Sequence, residues 1–258
     1  MPTALITGAS NGIGLELAKI FARKKNDLVL VARSEDKLQM LAQELRQQYK
    51  VNVYVVSKDL SDINTAKEIA DYCHQNNLPI DYLINNAGFG DYGFFAESDW
   101  NKQLQMINLN ITTLTYLTRL FLSGMIQRRT GKIMNVASTA AFLPGPLMSV
   151  YFATKAYVLS FSEAISNELE NTGVTVTALC PGATESGFEQ AANLEESKLF
   201  KGKKLPSAAT VAAFGYKAMM KGEVVAVHGV LNKILLTSIR FAPRVLIRKI
   251  VRIMQDKA

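Results

Sequence analysis

Cysteine and histidine are scarce in this chain. Cys73 and Cys180 stand far apart, and neither His74 nor His228 has partners at metal-ligand spacing. No disulfide framework and no Cys/His metal site can be built from them, and a reducing compartment fits. No apolar run reaches the roughly 18 uncharged residues that a membrane-spanning helix needs. No stretch is rich enough in Pro, Gly and Ser to be a linker, and no repeat is present. A strand-like run starts at Thr3, which leaves no room for a signal peptide, so the expected location is cytoplasmic.

What is present is ordinary globular material. The 258 residues are 48% hydrophobic and 20% charged, enough for one large core. The net charge is +7, and its distribution is uneven. Seven of the 29 basic residues but one of the 22 acidic ones follow Leu231, which leaves 22 against 21 for the rest. The body is near neutral and the tail is strongly basic. A nucleic-acid enzyme spreads its basic residues over a groove-facing surface, so no nucleic-acid partner is expected.

Short apolar runs alternate with longer amphipathic ones. The pattern predicts strands at Thr3–Thr7, Leu28–Ala32, Val51–Val56, Tyr82–Ile84, Lys132–Val136, Val174–Leu179 and Val224–Val227. Most are rich in Val, Ile and Leu without polar alternation, as strands buried on both faces are. Helices are expected at Ile13–Lys25, Ser34–Tyr49, Asp62–Asn76, Asp99–Arg128, Leu147–Asn171 and Ser207–Lys221, with one or two after Gly229. Ser34, Asp62 and Ser207 are candidate N-caps. The alternation predicts an α/β fold with a doubly wound parallel sheet. Functional residues then belong just after the strands.

The stretch "ALITGASNGIG" places Gly8, Gly12 and Gly14 between the first strand and the first helix. Glycines there let backbone N–H groups approach a pyrophosphate, which the helix N-terminus also attracts. An ordinary βα turn with incidental glycines is the alternative. No Lys-Ser/Thr pair follows Gly12, which argues against a P-loop.

Downstream lie "NNAG" at Asn85–Gly88, Ser138, "YFATK" at Tyr151–Lys155 and "PG" at Pro181–Gly182. With the glycine turn, in this order and near these spacings, the chain resembles the short-chain dehydrogenase/reductase family. "NVASTAAFLPGPLMSVYFATKAYVLSFSEA" resembles a bacterial branch of general oxidoreductases within it. The resemblance runs from Thr3 to about Val227. It implies a single Rossmann-type domain over residues 1–230, with residues 231–258 a basic amphipathic helical extension, since family members usually end soon after their last strand. It also implies a homodimer or homotetramer.

The dinucleotide choice is read from "LVLVARSEDKL". NAD-binding sheets commonly place an acid at the end of the second strand, but Ala32 stands there and Arg33 follows. An Arg fork can pair with a 2′-phosphate, which points to NADP. Arg33 as a plain solvated loop residue is the alternative. The expected cofactor site is Gly8, Ser10, Asn11, Gly12, Ile13, Gly14, Arg33, Asp59, Leu60, Asn86, Ala87, Gly88, Tyr151, Lys155, Pro181 and Gly182. The resemblance implies that Asp59 reads the adenine amino group. Asn85 can equally be a clamp between strands.

Tyr151 and Lys155 are four apart and share one helix face. A neighbouring ammonium, with the charge of an oxidised nicotinamide, is expected to draw the phenol down from its usual value near ~10 and make Tyr151 a proton donor and acceptor. Ser138, after the fifth strand, is expected to bond the same substrate oxygen. Asn110 matches the family's asparagine that holds a relay water, with Asn108 as a register alternative and a core helix-kinking residue as another. The expected catalytic set is Asn110, Ser138, Tyr151 and Lys155, and no metal is expected.

Three segments are expected to shape the substrate pocket: Gly88–Ser98 with Phe89, Tyr92, Phe94 and Phe95; Ala141–Met148; and Ala183–Pro206, which reads as a lid. Their apolar content suggests a lipophilic substrate, unless the aromatics pack the loops themselves. Cys180 could line the same pocket. In "RFAPRVLIRKIVRIMQ", Arg244, Arg248 and Arg252 recur every four residues with Lys249 beside them, and Leu246, Ile250, Ile253 and Met254 take the other side. Such a helix suits an anionic membrane surface, a lid over the pocket or a subunit contact, and the first would put the protein at the inner membrane face. The expected function is an NADP(H)-dependent oxidoreductase acting on a small lipophilic ketone, aldehyde, 3-oxoacyl group or alcohol. The rivals are an epimerase or dehydratase on the same scaffold, and a non-catalytic NADP-sensing membrane-associated protein.

Overall fold

A computed structural model describes residues 1–191 and 205–256. Seven strands form one parallel sheet among the described residues: β1 (Thr3–Thr7), β2 (Asp27–Ala32), β3 (Val53–Ser57), β4 (Ile80–Asn85), β5 (Gly131–Val136), β6 (Val174–Cys180) and β7 (Val225–Val227). Their order is β3-β2-β1-β4-β5-β6-β7. The expected doubly wound α/β sheet is therefore observed. Winding reverses between β1 and β4, which opens the crevice outside their C-terminal ends where ligands of such sheets bind.

Helices cover both faces. On one, α1 (Gly12–Arg23), α2 (Glu35–Tyr49) and α8 (Ala208–Lys221) bury Leu17, Phe21, Leu38, Leu45 and Met219 against Ile6, Leu28 and Leu30. On the other, α3 (Thr65–Gln75), α5 (Leu114–Arg128) and α6 (Ser149–Glu168) bury Ile69, Leu117, Met125 and Ile165 against Leu5, Val29, Leu83 and Val176. Alternate residues of one strand thus serve opposite layers, which is why the strands are apolar throughout.

The structure differs from the sequence expectations in three local ways. The single helix expected at Asp99–Arg128 is α4 (Trp100–Ile107), a π-helical turn at Asn108–Thr113, and α5. The buried Asn110 side chain is bonded outside the helix, and an extra residue in the turn accommodates that. Asp62 does not cap α3. Its carboxylate accepts from the Asn64 backbone at 2.9 Å, and the helix starts at Thr65. Ser34 occupies the N-cap of α2 but makes no capping side-chain bond, whereas Ser207 does cap α8 through the Thr210 N–H.

The last β-strand is followed by α9 (Val230–Ser238) and α10 (Arg244–Gln255). Apolar residues of α10 absent from the expected stripe, Ile247 and Val251, are buried with Met148, Tyr151 and Phe152. The apolar side read from the sequence, Leu246, Ile250, Ile253 and Met254, is exposed. The helix therefore has three faces: packed, basic and exposed apolar.

Candidate active site

The crevice begins at the glycine turn. Gly8 and Gly12 have φ of 66° and 54°, the left-handed region that favours glycine. Gly14 has a packing reason: a Cβ there would stand 2.3 Å from the Gly8 carbonyl oxygen and 2.5 Å from Asn86 Nδ2. Asn11 caps α1, its Oδ1 accepting from Gly12 N at 2.8 Å. The first turn carries no acid, and no helix carbonyl can serve the Ile13 and Gly14 N–H groups. Half-buried Ser10 precedes them. This cradle fits an anionic pyrophosphate.

Asn86 ties the turn to β4. Its Nδ2 donates to the Thr7 and Gly8 carbonyls, and the backbone N–H groups of Asn86 and Ala87 donate to Thr7 Oγ1. Asn85 acts as the strand clamp, donating to Asn135 Oδ1 at 2.9 Å and Thr118 Oγ1 at 3.0 Å. At the end of β2, Ala32 is buried and the Arg33 side chain is 77% exposed. Arg33 Nη1 lies 3.9 Å from Asp59 Oδ2, a proximity that sequence spacing did not signal. Asp59 also accepts from the Ser61 backbone and hydroxyl. Leu60 is buried, with its carbonyl accepting from Thr113 Oγ1 at 2.7 Å.

Tyr151 and Lys155 lie one turn apart on α6, both buried. Lys155 Nζ is 5.8 Å from the Tyr151 ring centroid and donates to the Val136 carbonyl at 2.7 Å. Ser138 caps the short turn Thr139–Phe142, accepting from Ala140 N and donating to the Pro181 carbonyl at 3.4 Å. Burial pushes the Tyr151 phenol up to about 12, and its hydrogen bond with Ser138 pulls the other way. Burial pulls Lys155 down to about 8. Desolvation is thus the largest cause for both groups, because burial disfavours the charged form of each.

Asn110 is buried in the π turn. Its Nδ2 donates to the Phe89 carbonyl and to Thr154 Oγ1, and its Oδ1 accepts from Phe89 N. Asn110 Oδ1 and Lys155 Nζ both stand within 3.4 Å of the point a Gly88 Cβ would occupy. The structure thus brings Gly88, Asn110, Tyr151 and Lys155 to one place. Asn108 starts the π turn and does not share this arrangement of bonds.

The phenol's neighbours come from the segments expected to shape the pocket and also from α10, whose Ile247 and Val251 the sequence reading left out. Phe188, on the short helix α7 (Phe188–Ala191), has its ring centroid 5.2 Å from that of Tyr151. Phe188, Met148 and Tyr151 converge where Gly90 lacks a side chain. Ile247 and Val251 complete the same apolar cluster from α10. Tyr92 donates to the Gln255 carbonyl at 2.9 Å, and the Arg252 guanidinium lies 5.0 Å from the Phe94 ring centroid. Of the loop aromatics, Phe89 and Tyr92 pack into the cluster, whereas Phe94 and Phe95 are exposed. Cys180 is wholly buried among Ala137, Val158 and Leu159, so it lines no open pocket.

Beyond Pro181 and Gly182, the chain lies back on the glycine turn. Ser186 and Gly187 pack against Gly12 and Asn11. Glu185 N donates to the Pro206 carbonyl at 3.1 Å, which joins the two ends of the expected lid. Residues 192–204 of that lid lie outside the described residues.

A family model described as short chain dehydrogenase matches residues 2–197. The very-long-chain 3-oxoacyl-CoA reductase of Anas platyrhynchos is 35% identical over 185 residues, 69% of this chain and 58% of that protein. The chain thus spans less than two thirds of that relative's length. Among solved structures, a short-chain dehydrogenase from Sphingobium yanoikuyae in complex with NADPH is 32% identical, with a TM-score of 0.84, over 93% of this chain and 94% of that one. The bulky-bulky ketone specific alcohol dehydrogenase from Comamonas testosteroni is 31% identical, with a TM-score of 0.80, over 93% and 92% respectively.

Proposed function

The chain belongs to the short chain dehydrogenase family, and from that premise we propose that it is an NADP(H)-dependent oxidoreductase interconverting a lipophilic carbonyl and its alcohol. The observation that carries this reading is a buried Tyr151–Lys155 pair with Ser138 at the phenol, beside the Gly8–Gly14 cradle.

Bound nicotinamide supplies the hydride in reduction and accepts it in oxidation. Tyr151 gives its proton to the carbonyl oxygen in reduction, which leaves the phenolate, and in the reverse direction that phenolate takes the proton of the alcohol. A phenol held up to about 12 stays protonated at neutral pH, ready to donate. Ser138 bonds the same oxygen and orients it. Lys155 remains charged at neutral pH, since its pKa of about 8 lies above it. Its bond to the Val136 carbonyl fixes the ammonium behind the phenol. Asn110 holds the Phe89 backbone beside Lys155.

The cofactor preference rests on Ala32 and Arg33. No carboxylate stands at the end of β2 to repel a 2′-phosphate, and the exposed Arg33 fork can turn to pair with one. Its contact with Asp59 at 3.9 Å is exposed, and such pairs are weak enough to release it. The NADPH bound in the Sphingobium relative is consistent with this preference. The apolar walls around Tyr151, Met148, Phe152 and Phe188, favour a hydrophobic ketone, aldehyde or 3-oxoacyl chain.

The test is NADPH consumption by the purified chain with a panel of ketones, aldehydes and 3-oxoacyl thioesters. Substrate-dependent consumption with at least one lipophilic carbonyl is expected. NADPH binding without turnover on any class would favour a non-catalytic NADP-binding role and overturn the proposal.

A further inference from the structure

The face that α9 and α10 turn outward has no role in the chemistry above. Leu231 and Ile234 on α9, Phe241 in the turn after it, and Leu246, Ile250 and Ile253 on α10 are exposed, with Leu231 82% and Phe241 84% accessible. So many large apolar side chains left exposed in one short segment are a feature of interaction surfaces. The basic residues Arg244, Arg248 and Lys249 are exposed on the same helix α10. No described helix is long and apolar enough to cross a membrane.

We infer that this face docks, lying flat, on an anionic lipid bilayer. The inner side of α10 already packs through Ile247 and Val251 against the Tyr151 cluster, so its apolar outer side is left for another apolar phase. Charge decides which one. The segment after Leu231 carries seven basic residues and one acid, in a chain whose remainder is near neutral. A second copy would set like charges against each other, whereas anionic headgroups complement them. The lysine and arginine stems can spread at the headgroup level while the apolar side chains enter the acyl boundary. Phe94, under the Arg252 guanidinium, is a further exposed apolar side chain, on the loop that follows β4. The docking face and the Tyr151 cluster then occupy opposite sides of one helix.

The test is co-sedimentation of the full chain with vesicles of phosphatidylserine and phosphatidylcholine, against phosphatidylcholine alone. Binding to the anionic vesicles only is expected. It should weaken strongly at about 1 M salt, where the screening length shrinks to about 3 Å. Two variants separate the contributions: Arg244→Glu with Arg248→Glu and Lys249→Glu, and Leu246→Ser with Ile250→Ser and Ile253→Ser. All six positions are exposed, so thermal melting should be near that of the unmodified chain. Each variant should bind anionic vesicles at least about tenfold more weakly. Should either melt early, Arg248→Glu and Ile253→Ser alone carry the same prediction in smaller measure. Absence of anionic-vesicle binding, or binding unchanged in folded variants, overturns the proposal. A dimer abolished by the serine variant, with no vesicle binding, would assign the face to a second copy instead.

Discussion

Tyr151 and Lys155 show how far residue spacing reaches. Four residues apart, they had to share a helix face, and the sequence could say so. What spacing could not supply was their solvation. Burial lowers Lys155 to about 8 and raises Tyr151 to about 12, because low polarity disfavours the charged form of each. A pH prediction follows from the signs. Lys155 loses its proton above about 8 rather than near the ordinary lysine value. For carbonyl reduction, kcat/KM should therefore fall on the alkaline side with a midpoint near 8, while the phenol is still protonated. A profile level to about pH 10, where an ordinary lysine titrates, would contradict the assignment. Arg33 was legible as a cation in the place of an acid, but its neighbour Asp59 was not, since the two meet only across adjacent strand ends. Arg33→Ala should weaken NADPH binding by about 1.5–3 kcal/mol, the range for a charge-assisted hydrogen bond, and leave NADH almost untouched. Calorimetric titration of both cofactors reads this directly. Equal affinities in the unmodified chain would remove the basis for the preference.

Among the elements, the strands were the most legible, each within two residues of its observed ends, because sheet burial on both faces writes itself as an uninterrupted apolar run. The helix between β4 and β5 was misread as continuous because its π turn answers to partners far away in sequence. Asn110 bonds Phe89 and Thr154, and neither contact has a local pattern. Removing that amide in Asn110→Ala leaves the Phe89 backbone and the Thr154 hydroxyl short of partners. The expected cost is about 1–3 kcal/mol in urea unfolding. Unchanged stability would mean that the π turn does not depend on this side chain. The glycine turn was legible as a motif, but not the separate reasons behind its glycines. Gly14→Ala would drive a methyl against the Gly8 carbonyl and the Asn86 amide. It should destabilise the chain by about 1–3 kcal/mol through overpacking and should weaken NADPH binding as well. A variant as stable as its parent would show that this contact relaxes freely. The outer helix α10 was readable as amphipathic, yet its packed side fell on Ile247 and Val251, since only tertiary contact chooses which part of a broad apolar arc is covered.

On the scale of the whole molecule, the site gathers residues from nearly the full length of the chain. The order β3-β2-β1-β4-β5-β6-β7 sets the Gly8 turn beside Asn86, then Ser138, then Pro181, along one edge of the sheet. Each lies just past a strand end, so the alternation of strands and helices already located the site before any side chain was placed. The apolar cluster over that edge draws on α6, α7 and α10 together, and no short motif encodes it. The central claim is that this assembly binds NADP(H) and that Tyr151 alone delivers the proton. Tyr151→Phe removes one hydroxyl and keeps the ring that packs on Phe188. The most direct measurement is turnover of a reducible carbonyl by that variant, alongside its NADPH dissociation constant. The account predicts a loss of at least about 10²–10⁴ in kcat with NADPH binding unchanged. Near-normal turnover in a folded, NADPH-binding Tyr151→Phe protein would contradict it.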